Sequence, residues 1–196
     1  MKKNSIILIS VVVILILVFF GGVSSYNNLV TQREMVNSQW GNVESQYQRR
    51  SDLIPNLVQT VKGYATHESS TLEGVVAARA KATQITIDPK NLTPEKLQEY
   101  QAAQGQVSSA LGKLLMITEN YPDLKANQNF LELQAQLEGT ENRISVERNR
   151  FNEVAMNYDI MIQRFPKSII ASMFGFKDKP YFAAENGAEK APAVKF

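Results

Sequence analysis

Between Ile6 and Val23 the chain carries no charge, and Ser10, Gly21 and Gly22 are the only residues there that are not apolar. As a helix this run reaches about 27 Å at 1.5 Å per residue, close to the hydrocarbon thickness of a bilayer. A helix also satisfies its own backbone amides, which hydrocarbon requires. The run has no polar face, so it does not read as a core helix of a soluble domain. Two readings stay open. One is a permanent anchor. The other is a cleaved signal peptide ending in the small residues Gly21 to Ser25, and the length of the apolar run favours the anchor.

Lys2 and Lys3 precede the run and the next basic residue is Arg33, which predicts a cytoplasmic N-terminus and an extracytoplasmic remainder. Those two lysines also account for the net charge of +2. Without them the 21 basic residues fall level with the 19 acidic ones. A neutral chain with interspersed signs lacks the basic stripe that nucleic-acid binding needs, so no nucleic-acid partner is expected. Cysteine is absent and His67 is the one histidine. That argues against thiolate chemistry and a zinc site. His67 reads as an exposed turn residue, because a hydrolytic triad needs groups converging from different elements.

Beyond Ser24 the apolar periodicity is helical throughout. Leu29, Val36, Trp40, Val43, Tyr47, Ile54, Leu57, Val61 and Tyr64 form one face of a helix over 24–66. Pro55 lies inside it and removes the donor to the Ser51 carbonyl, predicting a kink. A turn is expected over 63–70. Ser70 with Glu73 then forms a capping-box pattern that opens a shorter helix bearing Leu72, Val75, Val76 and Ala80 and ending near Ala82. A loop follows over 83–93, and Thr93-Pro94 starts a third helix reaching about Ile117. Asn120 to Asp123 breaks that helix. From Asn127 to Phe165 the residues Phe130, Leu137, Ile144, Phe151, Tyr158 and Phe165 recur every seventh position, with Leu133, Val154 and Met161 between them, as in a bundle seam.

The fold class expected is therefore all-α: an antiparallel up-and-down four-helix bundle preceded by one N-terminal transmembrane helix. Its segments are a cytoplasmic N-terminus (1–5), the membrane helix (6–23), the bundle (24–183) and a disordered tail (184–196). Two charges fall on the seams. Arg50 occupies a core position of the first helix and Glu147 one of the fourth. In an antiparallel pair, Arg50 and a carboxylate of the fourth helix, Glu147 or Glu141, form a polar layer that fixes register. The aromatics Phe174, Phe176, Tyr181 and Phe182 form a further cluster, to be docked on the bundle, at the membrane surface or in a partner's groove.

The run Gln48-Arg-Arg-Ser-Asp-Leu-Ile-Pro-Asn-Leu-Val58, followed by Thr60-Val-Lys-Gly-Tyr-Ala65 and His67-Glu68, resembles the signature of the LemA family. So do Tyr121 to Ala126, Leu133-Gln134, Thr140-Glu141 with Arg148, Asn152, Tyr158-Asp159, Phe165-Pro166, Phe174-Gly-Phe176 and Tyr181-Phe182. At Asp159 relatives often carry asparagine. The resemblance spans nearly the whole chain. It implies a bacterial envelope protein with an N-terminal transmembrane helix, an up-and-down helical bundle, no cofactor and no established catalytic activity. With the orientation set by Lys2 and Lys3, the expected location is the inner membrane with the bundle extracytoplasmic. It also makes Arg50, Asp52, Pro55 and Asn56 a shared joint or binding surface.

The function expected is a membrane-anchored interaction or assembly module, held in the bilayer by Ile6 to Val23 and pairing with an unidentified envelope protein or with itself. The alternatives are an envelope-polymer hydrolase using a carboxylate pair and a membrane-shaping protein that assembles laterally.

Overall fold

The computed structural model describes residues 3–183, with side chains from Ile7 onward. The expected disordered tail (184–196), with Met1 and Lys2, lies outside the described residues. The all-α expectation holds: among the described residues there are six α-helices, one 3-10 turn and no strand. They are α1 (Lys3–Lys62), α2 (Ser69–Gln84), α3 (Pro94–Thr118), α4 (Pro122–Lys125), α5 (Gln128–Gln163) and α6 (Lys167–Met173), with the 3-10 turn at Pro89–Asn91.

The two segments read separately from sequence, the apolar run and the helix after Ser24, are one 60-residue helix. Gly21 and Gly22 do not interrupt it. From Ile7 to Phe20 every residue is exposed and nearly all are large and apolar. Beyond Leu29 the core face predicted from periodicity is buried, except at Tyr64, which falls in the turn after Lys62 and is exposed.

α5 packs antiparallel along α1. Lys167 just beyond it reaches Asn28, Glu147 meets Gln39, Glu141 meets Arg50, and Asn127 meets Tyr64. α2 also runs back along α1, placing Arg79 at Ser51, while α3 returns parallel to α1 with Tyr100 beside Trp40 and Gln104 beside Arg50.

The termini follow local chemistry, with corrections. Thr93 caps α3 by accepting from the Lys96 amide and Asn127 caps α5 by accepting from the Phe130 amide, each worth about 1 kcal/mol. The Ser70–Glu73 capping box is not formed. α2 starts two residues earlier, with Glu68 at the cap position and no side-chain cap. The helix also turns differently from its predicted face: Leu72, Val75 and Ala82 are buried, whereas Val76 and Ala80 face solvent. Phe165, expected at the end of the α5 seam, is 82% exposed because α5 ends at Gln163.

The buried apolar residues form two clusters. One gathers Trp40, Tyr47, Tyr100, Phe151, Tyr158 and Phe182 with smaller neighbours, near the apolar end of α1. The other is largely aliphatic, built from Ile54, Leu57, Leu72, Leu111, Leu114 and Leu137 around Phe130. Arg50 lies between them along α1.

Candidate functional site: a polar layer and a C-terminal strap

Arg50 is 2% exposed, yet it is fully partnered at its two terminal nitrogens. Nη1 donates to Glu141 Oε1 at 2.6 Å and to Ser108 Oγ at 2.7 Å. Nη2 donates to Gln104 Oε1 at 2.6 Å and to the Gln104 carbonyl at 3.1 Å, and the guanidinium lies 5.1 Å from the Tyr47 ring centre. The layer thus draws on α1, α3 and α5. Its carboxylate is Glu141. Glu147, at the seam position, instead accepts from Gln39 Nε2 at 2.7 Å and Arg150 at 2.9 Å. A guanidinium with four satisfied donor contacts has little left to offer a ligand, and these contacts tie α1, α3 and α5 together.

Pro55 and Ser51 make the neighbouring joint. Proline leaves the Ser51 carbonyl without its helical donor. α1 continues through Pro55, and Arg79 Nε on α2 donates to that carbonyl at 2.8 Å. Beside it lies a cavity of about 120 Å³ bounded by α1, α2 and α3, with Glu44, Ser51, Arg79, Thr83, Tyr100 and Gln104 in its wall. That volume suits about four water molecules. Glu44 is the only carboxylate among the residues lining it, so the cavity does not assemble the acid pair of glycoside hydrolysis. Burial, reinforced by Tyr47 and Glu44, pushes the Tyr100 hydroxyl well above its ordinary range.

Asp52 and Asn56 face solvent, one helical turn apart. Asp52 accepts from Gln48 Nε2 at 2.8 Å. The motif that sequence reads as a unit is therefore divided: Arg50 points inward, Pro55 defines the joint with α2, and Asp52 with Asn56 lies on the outer face. His67 is exposed in the turn between α1 and α2. Among the described residues no three His, Asp or Glu side chains converge as a metal site.

The aromatic cluster also divides. After α6, Gly175 adopts φ +71°, a conformation that favours glycine, and residues 176–183 cross the bundle as an extended strap. The Asp159 carboxylate accepts from the Lys179 amide at 3.0 Å and from the Tyr181 hydroxyl. Lys179 Nζ donates to the Pro89 carbonyl at 2.7 Å. Asn152 pairs with both backbone groups of Phe182, and Arg148 and Gln101 both donate to the Ala183 carbonyl. Phe182 is buried, stacked on Trp40 with centroids 5.8 Å apart, edge-on to Phe151 and under the Arg148 guanidinium. Phe174 and Phe176 lie elsewhere, against Tyr26 at the base of the bundle.

Burial raises the Asp159 carboxyl, against the lowering pull of Tyr181 and the Lys179 amide, and burial lowers the Lys179 amine. Burial together with the Asp159 carboxylate pushes Tyr181 up to about 12. The strap is thus fastened by desolvated polar groups that depend on one another.

Sequence reasoning missed Gln104, Ser108, Arg79, Gln101 and Lys179. A signal existed for Gln104: Leu97, Gln104, Leu111 and Thr118 recur every seventh residue and are all buried. Arg79 was signalled only by the need of the Ser51 carbonyl for a donor.

Comparison with known proteins agrees with the sequence resemblance. The chain is 28% identical over 186 residues to magnetosome protein MamQ 2 of Paramagnetospirillum magneticum, covering 86% of this chain and 68% of that protein. It is 28% identical over 174 residues to magnetosome protein MamQ of Magnetospirillum gryphiswaldense, covering 80% and 64% respectively. With protein LemA of Metamycoplasma hominis it shares 23% identity over 166 residues, covering 85% and 72%. Residues 39–196, the part that holds the Arg50 layer, the proline joint and the strap, match the LemA family, and the chain belongs to that family.

Proposed function

We propose that this protein is a membrane-anchored interaction module, with its N-terminus in the cytoplasm and its bundle outside. The observation that carries the reading is the continuity of α1: the same helix that exposes apolar side chains from Ile7 to Phe20 becomes the central helix of the bundle. A helix this long and apolar suits a membrane span. The two lysines before it set the orientation. The bundle it carries is tied together by a buried polar layer around Arg50, whose terminal nitrogens are all partnered within the protein. Its exposed family motif, Asp52 and Asn56 on α1, supplies a polar face for another envelope protein or a second copy.

Photo-crosslinking in intact cells tests this. A photoreactive side chain at Asp52 or Asn56 yields adducts of higher mass, and their composition separates a foreign partner from self-assembly. Recovery of monomer alone from both positions, under conditions where the probe reacts, overturns the reading. Adducts containing only copies of this chain favour the lateral-assembly form that a membrane-shaping role requires.

A further inference from the structure

We infer that α6 and its flanks form a second membrane contact, seated in the headgroup region of the outer leaflet beside the α1 span. The inference rests on the reading of α1 as a span.

Ile169 and Met173 are four apart on α6, Phe174 follows them, and Phe165 lies in the turn that leads into α6. In that order they are 52%, 71%, 58% and 82% exposed. Four large apolar side chains grouped at one end of a helical bundle form a patch that water does not favour. Its position identifies the occupant. α6 packs on both α1 and α5. A Cβ placed on Gly22 would stand 3.9 Å from Ile170 Cδ1, Lys167 Nζ donates to Asn28 Oδ1 at 2.9 Å, and the Phe174 ring centre is 4.8 Å from that of Tyr26. α6 therefore lies at the height of Gly22 to Asn28 on α1.

Counting from Ile7 at about 1.5 Å per residue, a hydrocarbon layer of about 30 Å ends near Tyr26. The patch is thus continuous with the span and level with its outer boundary. Tyrosine at that height fits an interfacial ring, with its hydroxyl among the headgroups. Arg33, the first charge after the span, lies farther along α1 with its guanidinium 5.2 Å from the Phe176 ring centre. Arg164 and Lys177 are exposed beside the patch, and the Lys167 amine donates to Asn28 at the same height. These cations suit anionic headgroups, while the apolar side chains enter the upper acyl region.

Because the chain has no cysteine, single-cysteine variants of the full-length protein give the test directly. The variants Ile14→Cys, Ile169→Cys, Met173→Cys and Met116→Cys are labelled with a fluorophore. They are reconstituted into phosphatidylcholine–phosphatidylglycerol vesicles carrying nitroxides either near the headgroup or deep in the acyl chain. Met116, exposed at the far end of α3, is the reference, and circular dichroism checks that each variant folds. The expected result is quenching at positions 169 and 173 by the shallow nitroxide, several-fold above position 116, and quenching at 14 by the deep one. If 14 is quenched while 169 and 173 behave like 116, the second contact is overturned and the span stands. Absence of quenching at 14 overturns the span reading, and the inference with it.

Discussion

The two cores on either side of Arg50 are built from different materials. The distal one, away from the apolar end of α1, is mostly leucine, isoleucine and valine. The proximal one stacks Trp40, Tyr47, Tyr100, Phe151, Tyr158 and Phe182. The difference follows from the length of α2. That helix has 16 residues, and its buried positions Leu72, Val75 and Ala82 all belong to the distal core. The distal half therefore has four helical walls and closes with branched aliphatics. In the proximal half the fourth wall is made from irregular chain: Ile87 and Leu92 on either side of the 3-10 turn, and the strap bearing Phe182. Wide rings fill that broader space, and their edge-to-face and stacked contacts add to simple burial.

The largest test of this division is Arg50→Ala. It strands Gln104 and Ser108, leaves a void between the cores and costs about 3–5 kcal/mol. Glu141→Gln costs far less, about 1 kcal/mol, because its carboxylate is partly solvated and a neutral oxygen still accepts. Trp40 is the only tryptophan, so its fluorescence reports the proximal core while far-UV circular dichroism reports all helices. In Arg50→Ala the two urea midpoints should separate. If they stay coincident, the layer does not couple the cores.

Next in size, Phe182→Ala should cost about 3 kcal/mol and affect the proximal half alone. Hydrogen exchange is expected to rise around Asn152 to Asp159 and to remain unchanged in α2. Equal loosening of α2 would show that the cores are one unit.

The smallest effect is at Asp159. Its folded pKa is raised above the unfolded value of about 3.8, so the folded state holds that proton more tightly than the unfolded one does. Its contribution to stability is full below that value and declines as pH rises through the folded pKa. Asp159→Asn keeps an acceptor for the Lys179 amide, changes stability at neutral pH by about 1 kcal/mol or less, and removes that slope. Urea titrations at several pH values check both statements. A slope that survives in the variant assigns it to another group.

How much of this was legible in the sequence depends on the type of signal. Most of the distal core follows from helical periodicity, because α1, α3 and α5 bury their predicted apolar faces there; only α2 turns partly away from its predicted face. The inward Arg50 was legible as a charge on a seam. Its partner was not: Glu147 holds the better seam position, but the lateral alignment of α5 on α1 brings Glu141 within reach. The strap was legible only as a group of aromatics. Its clasp joins Asp159, Asn152, Arg148 and Gln101 on two helices to backbone groups far along the chain, and no periodicity encodes such pairings. Tyr64, Val76, Ala80 and Phe165 fall outside the core for two reasons. Each belongs to a segment where the repeat was extended past the actual end, or around the actual face, of its helix.

The continuity of α1 has a mechanical consequence. From Tyr26 to Lys62 the helix rises about 50 Å, with no loop between the apolar stretch and the tip to absorb rotation. Set in a bilayer, such a rod is a lever: a tilt of about 10° in the lipid sweeps the distal turn sideways by roughly 9 Å, by the same rise per residue. Changes in bilayer thickness, which hydrophobic helices accommodate by tilting, would thereby be converted into displacement of the outermost end of the molecule.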